Sequence, residues 1–248
     1  MGKIIGLLNQ KGGVGKSTLA MHLASALHHN LNPEKNPNFV AIYDSDYPQY
    51  SILTVRNEEI NLIKRKIEED NNYYSNKMKN IYQNGFGPMP VFHGDIQNVI
   101  EKIDELRSNY EYTIVDVVGT VNTRFYDEKF IDIFDCIIVP MSTEFDVIRS
   151  SATYVSELIA PIAAKNEKLK YGIVLNNVDS VDDTNSNRTK EKLRGYGFSI
   201  FDTMIHRRKK YTRLYMRDGS SGTLSTLFPG YEPAFIKLMK EILQLINE

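Results

Sequence analysis

Lys11-Gly12-Gly13-Val14-Gly15-Lys16-Ser17-Thr18 has the residue types and spacing that hold phosphate. It follows the apolar run Lys3-Ile4-Ile5-Gly6-Leu7-Leu8, an order that predicts a strand, a glycine loop and the first turn of a helix. The glycines let the backbone close around an anion with its N–H groups pointing inward. The helix N-terminus adds partial positive charge, Lys16 a full one, and Ser17 offers a hydroxyl to Mg²⁺. The ligand this chemistry selects is a nucleoside triphosphate.

The loop departs from the usual G-x-x-x-x-G-K-[ST] pattern, with Gln10 at the first glycine position and a second lysine, Lys11, after it. A lysine so early in the loop reaches its own terminal phosphates poorly and is better placed to cross a dimer face. There it would stabilise charge on the transferring phosphoryl group in trans. The alternative is a solvated loop lysine.

A triphosphate site also needs carboxylates at strand ends. Ala41-Ile42-Tyr43-Asp44-Ser45-Asp46-Tyr47-Pro48-Gln49 delivers two aspartates just before a proline. In a continuing strand Asp44 and Asp46 share one face, one near the metal and the other accepting a hydrogen bond from an attacking water. The alternative is an Asp-rich turn. Tyr112-Thr113-Ile114-Val115-Asp116 is an apolar strand ending in a carboxylate suited to bonding the Mg²⁺ shell through water. Beyond it, Gly119 in Val117-Val118-Gly119-Thr120-Val121-Asn122 allows a loop to pass close to a terminal phosphate.

These groups must be positioned by the apolar runs at 4–8, 39–43, 112–117, 136–141 and 171–175, most of them separated by stretches suited to helices. The alternation predicts an α/β fold, a doubly wound, mostly parallel sheet with helices on both faces, as in a P-loop NTPase. The first helix is expected from Lys16 to about Leu27, with Leu19, Leu23 and Leu27 on one face. Residues 30–38, with Pro33 and Pro37, read as a loop. Ile96, Val99, Ile100, Ile103 and Leu106 repeat at helical spacing, as do Phe235, Leu238, Met239 and Ile242. At 248 residues the chain is read as one domain over 1–248, with the charged, Asn-rich region within about 56–94 as a surface elaboration.

With a formal net charge of −1, any affinity for a polyanion must come from a local patch. Cys136, the single cysteine, lies in the apolar run Cys136-Ile137-Ile138-Val139 and reads as a core residue. It excludes a disulfide framework within one chain. No apolar run approaches the ~20 residues of a membrane span, so a soluble, cytoplasmic protein is expected, nucleoid-associated if it binds DNA.

Gln10-Lys11-Gly12-Gly13-Val14-Gly15-Lys16-Ser17-Thr18 together with Asp44-x-Asp46-x-Pro48-Gln49 resembles the ParA/MinD family of deviant Walker A (SIMIBI-class) ATPases. The likeness is greatest to the ParA branch and to ParA-like proteins of partition systems and conjugative elements. The resemblance implies ATP and Mg²⁺ as cofactors, an ATP-bound sandwich homodimer, and slow hydrolysis stimulated by a partner protein. It implies Lys11 as the lysine acting in trans, Lys16 as the phosphate lysine and Ser17 as the Mg²⁺ ligand. Thr18 would contact the α-phosphate, Asp46 would orient the water, and Asp44 and Asp116 would stand behind the metal. It also places an adenine contact after the strand at 171–175, where Asn176, with Asn177 beside it, offers an amide that can both donate and accept. Family members usually carry a proline-containing turn after the later aspartate; Val117-Val118-Gly119 lacks it.

ParA relatives bind nonspecific DNA through surface cations, for which the candidates are Arg207, Arg208, Lys209, Lys210, Arg213 and Arg217. If the segment is helical, Lys209, Arg213 and Arg217 form a stripe that contacts DNA phosphates without reading sequence. A solvated charged face is the alternative. A MinD-like membrane or protein-partner switch is the rival reading. It wants a cationic amphipathic C-terminal helix, whereas residues 232–248 set Glu232, Glu241 and Glu248 against Lys237 and Lys240. An electron carrier of the nitrogenase iron-protein type lacks its paired cysteines. An ATP-dependent ligase lacks any motif for a second substrate.

Overall fold

The computed structural model describes residues 1–69, 72–119, 128–179, 183–214, 225–228 and 232–248. Seven strands form one sheet: β1 (Lys3–Leu7), β2 (Val40–Asp44), β3 (Val91–His93), β4 (Tyr112–Asp116), β5 (Cys136–Met141), β6 (Lys170–Val178) and β7 (Ile205–His206). Their order is β3-β2-β4-β1-β5-β6-β7, and every pair is parallel. β1 lies between β4 and β5, where connections turn to opposite sides. This is the switch point at which doubly wound sheets open a crevice beyond the carboxyl ends of their strands.

Strand side chains alternate between two apolar layers. Ile5 and Leu7, Val40 and Ile42, Ile114, Cys136 and Ile138 point to one layer. It is closed by α1 (Lys16–Ser25), α2 (Ser51–Glu68) and α9 (Pro233–Asn247). Ile4, Tyr43, Val115, Ile137, Val139, Ile173 and Leu175 point to the other. That layer is closed by α4 (Ile96–Asn109), α5 (Glu128–Ile131), α6 (Phe145–Tyr154), α7 (Ala160–Lys165) and α8 (Asp183–Gly195). α3 (Asn72–Ile81) has no buried residue and lies beside α2.

Leu19, Leu23 and Leu27 are all buried, as their spacing predicts. The helix changes to a wider π-turn over Ala26–Asn30. A second π-turn, Val155–Ile159, joins α6 to α7, where Pro161 cannot donate to Glu157 four residues back and crowds its carbonyl. Cys136 is a core residue whose burial pushes the thiol up to about 12. α9 buries Phe235, Leu238, Met239 and Ile242 against α1 and the first π-turn. Among the described residues no helix is long and apolar enough to cross a membrane.

β3 and β7 lie outside the five sequence-read strands, and α2, which runs from Ser51 into the 56–94 region, is anchored rather than peeled away. Ile52, Glu59 and Ile63 are its buried positions. The Glu59 carboxylate accepts from the Thr226 and Leu227 backbone N–H groups at 2.7 and 3.1 Å, and from the Ser225 hydroxyl. Arg56 donates to the Met89 and Thr226 carbonyls at 2.7 and 3.0 Å.

Candidate functional site

The loop after β1 is held from beneath by Asn9. Its amide nitrogen donates to the Pro140 carbonyl and the Ser151 hydroxyl, each at 2.8 Å, and its oxygen accepts from the Lys11 N–H at 2.9 Å. Gln10 donates to the Ser150 carbonyl at 3.0 Å. Gly13 and Gly15 have φ of +76° and +90°, the left-handed region that glycine enters freely. Asn176 at the end of β6 donates to the Val14 carbonyl at 2.7 Å. The chain is thus bent into a loop by its glycines and tied to β5, α6 and β6 by amide side chains.

A cavity of about 720 Å³ opens over the loop. Lys11 to Gly15 and Thr18 line one end, with Asn176 and Asn177 beside them. Ile205, Arg207, Arg208, Lys209, Tyr211 and Phe235 line the other. Lys11 is exposed, and its side chain makes no hydrogen bond or ion pair among the described residues. Lys16 is buried, with Nζ donating to the carbonyls of Asn9 and Lys11 at 3.2 and 3.3 Å. Burial lowers its pKa, against Asp116 and Asp46, whose charges raise it. Gly119 presses on this lysine: a Cβ there would stand 2.7 Å from Nζ. Residues 120–122 of the same loop lie outside the described residues.

Parallel register brings the carboxylates together. Asp44 of β2 is the register partner of Asp116 of β4, and Asp116 in turn of Leu7, the last residue of β1. Asp116 is buried, and among the described residues neither carboxylate oxygen has a hydrogen-bond partner of ordinary geometry. Burial lifts its pKa to about 7, with the nearby Ser17 hydroxyl and Lys16 pulling it down and Asp44 and Asp46 adding to the rise. Buried anionic oxygens without donors are costly. A hydrated cation between Ser17 and a triphosphate would supply the missing donors, so these residues fit Mg²⁺ bound with a nucleotide. Among the described residues no group of three or more His, Cys, Asp or Glu side chains is arranged to hold a metal by itself. Ser17 and the nucleotide would therefore hold the ion, with Asp116 acting through its waters.

Asp44 is placed differently from its expected role. The strand ends at Asp44, so Asp44 and Asp46 do not share a strand face. The Asp44 carboxylate accepts from the Ile52 and Leu53 N–H groups in the first turn of α2, at 2.8 and 3.0 Å, and from the Asp46 N–H at 3.3 Å. It stabilises a helix N-terminus whose cap residue, Tyr50, makes no side-chain cap. Asp46 is half-buried in the turn, with Ser51 donating to it at 3.4 Å.

The cationic segment also departs from expectation. β7 ends at His206, and Lys209–Thr212 form one 3₁₀ turn flanked by extended Arg208 and Arg213, so Lys209 and Arg213 do not form a helical stripe. Tyr211 inside the turn and Leu214 beyond extended Arg213 are both buried, so packing rather than charge periodicity governs the segment. Lys210 is paired with Glu232. Arg207, Arg208, Lys209 and Arg213 are exposed, and the first three line the cavity. Arg217 lies outside the described residues. The sequence did not single out Asn9, and Tyr211 and Phe235 read there only as packing residues; a polar residue immediately after a buried strand was the available signal for Asn9.

Residues 5–135 match the family described as CobQ/CobB/MinD/ParA nucleotide binding domain. Among solved structures, the MinD cell division protein of Aquifex aeolicus is 17% identical at a TM-score of 0.61, covering 98% of this chain and 97% of that one. The ParA of pNOB8 is 13% identical at a TM-score of 0.60, covering 100% and 98%. Cobyrinic acid a,c-diamide synthase of Mycobacterium smegmatis, solved with ADP and magnesium, is 16% identical at 0.58, covering 85% and 89%. At such identities the structures establish a shared P-loop α/β fold, while the family match spans just over half of the sequence. The chain belongs to the CobQ/CobB/MinD/ParA family of nucleotide-binding domains.

Proposed function

We propose that this protein is a ParA-type ATPase switch. It binds ATP with Mg²⁺ in the cavity over the phosphate loop, forms a face-to-face homodimer, and slowly hydrolyses ATP to ADP and phosphate. A partner protein accelerates that hydrolysis. The observation that carries the nucleotide part is the convergence of the glycine loop, Lys16, Ser17 and the buried Asp116 carboxylate, which among the described residues has no hydrogen-bond partner of ordinary geometry, at the carboxyl ends of β1 and β4. Lys16 neutralises phosphate charge, Ser17 ligates the metal, Thr18 contacts the α-phosphate, and Asp46 orients the attacking water. Lys11, exposed at the cavity and without a side-chain partner among the described residues, supports the dimer, in which it would reach a second copy's nucleotide.

The exposed cations Arg207, Arg208, Lys209 and Arg213 support association with nonspecific DNA, in plasmid or mobile-element partition or transfer. Their place beside the cavity would make DNA contact sensitive to nucleotide. The burial of the apolar face of α9 in the core disfavours a membrane role for that helix. DNA retention measured with ATP, ADP and no nucleotide, at low and moderate salt, tests this reading. ATP-dependent, salt-sensitive retention supports it; ATP-dependent dimerisation without retention would replace DNA with a protein or membrane partner.

A further inference from the structure

The far wall of the cavity is fastened from two sides. His22, in the last turn of α1, is buried and stacks on Phe235 with ring centroids 4.4 Å apart and planes 28° apart. It also meets the edge of Tyr211 at 5.6 Å, and its Nε2 lies 3.3 Å from the Tyr211 carbonyl. Burial holds its pKa down to about 4, so the ring is neutral near pH 7 and Nε2 carries the proton toward that carbonyl. On the other side Glu232, immediately before α9, pairs with Lys210 and accepts from the Tyr211 hydroxyl at 3.3 Å. Tyr211, its hydroxyl tied to Glu232, and Phe235 in the first turn of α9 both line the cavity while buried, at 5% and 2% exposed, so they back its wall rather than offer an open ring face. The phosphate end of the cavity stands on the first turn of the same helix that carries His22 in its last.

We infer that His22, Lys210 and Glu232 are positioning residues for the nucleoside end of the bound ligand. They hold the Lys209–Thr212 turn against α1 so that the base meets a rigid wall, backed by the packed rings of Tyr211 and Phe235, at a fixed distance from the phosphate loop. The inference rests on the nucleotide-binding reading and adds to it: residues that need not touch the ligand set how strongly its base is held. A wall already locked in place loses little freedom when the base arrives.

The test separates base from phosphate. Affinities for Mg·ATP and for Mg·tripolyphosphate, which lacks the nucleoside, are measured by calorimetry for the natural protein and for His22→Ala, Glu232→Ala and Glu232→Gln, with melting temperatures alongside. Glu232→Ala and His22→Ala are expected to weaken ATP tenfold or more and to leave tripolyphosphate within about twofold. Glu232→Gln, which keeps an acceptor for the Tyr211 hydroxyl, is expected to recover most of the ATP affinity. Parallel weakening of both ligands, or unchanged ATP affinity in the folded variants, would overturn the inference while leaving nucleotide binding intact. If His22→Ala does not fold, the two Glu232 variants decide. A natural protein that binds neither ligand would overturn the nucleotide-binding reading and this inference with it.

Discussion

Asp44 and Asp116 are register partners at the carboxyl ends of adjacent strands, yet their carboxylates face different tasks. Asp44 accepts from N–H groups of α2 and of the following turn, whereas among the described residues neither Asp116 oxygen has a hydrogen-bond partner of ordinary geometry. Asp44→Ala should therefore act on folding: it strands two N–H groups at a buried helix N-terminus and costs about 2–3 kcal/mol in urea unfolding. Asp116→Asn, which removes a buried charge without changing shape, should leave stability equal or higher while weakening Mg²⁺-dependent ATP binding. Equal losses of stability in the two variants would contradict this division.

Gly15 is committed twice, by its φ of +90° and by the Asn176 amide, which would lie 2.4 Å from an added Cβ. Gly15→Ala should displace Asn176 from the Val14 carbonyl and reduce nucleotide affinity more than tenfold, on the strength of roughly 1–2 kcal/mol of backbone strain alone. Calorimetric titration with Mg·ATP checks it, and an affinity within twofold of the natural protein would refute it.

Gly119→Ala should behave differently. The atom it crowds most is the flexible end of Lys16, with the Asn9 and Lys11 carbonyls at 3.3 and 3.4 Å, so the fold should absorb the methyl with little change in melting temperature. The lysine Nζ must move, and ATP turnover should fall at least severalfold. A large drop in melting temperature with normal turnover would reverse that assignment.

His28 is fully buried in the first π-turn, its Nε2 donating to the Gly87 carbonyl at 2.8 Å and its Nδ1 unpartnered among the described residues. Burial holds its pKa down to about 4 from the ordinary 6.5. Between those values the unfolded chain takes up a proton that the folded chain refuses. The associated stability is present above pH 6.5 and is lost as pH falls toward 4. At about 1.4 kcal/mol per pH unit, the loss at pH 5 is about 2 kcal/mol. Asp116, raised from 3.8 to about 7, works in the opposite direction, so a comparison of variants is needed to isolate the histidine. His28→Gln keeps an N–H for Gly87, and its drop in stability from pH 7 to pH 5 should be about 2 kcal/mol smaller than that of the natural protein. Identical drops would show that His28 does not carry this term.

The phosphate loop was legible in the sequence because its chemistry is local: glycines, a lysine and a hydroxyl within a single turn. The five long strands and the leucine face of α1 were legible through their apolar patterns. β3 and β7 were not, because three and two residues between Pro90 and Gly94, or before Arg207, cannot display a period of two. The task of Asp44 was hidden because α2 begins only at Ser51, and nothing in the aspartate pattern shows that the chain turns back to present that helix's N-terminus to it. The cationic segment misled through charge spacing, when its backbone follows the burial of Tyr211 within a short turn and of Leu214 beyond it.

The most direct test of the central claim is the mass of the protein in solution with Mg·ATP and with Mg·ADP, for the natural chain and for Lys11→Ala, with nucleotide occupancy measured on the same samples. A dimer in ATP and a monomer in ADP for the natural chain, with Lys11→Ala binding ATP yet remaining monomeric, is the predicted result. An ATP-loaded natural chain that stays monomeric, or a Lys11→Ala variant that dimerises as well as the natural one, would contradict it.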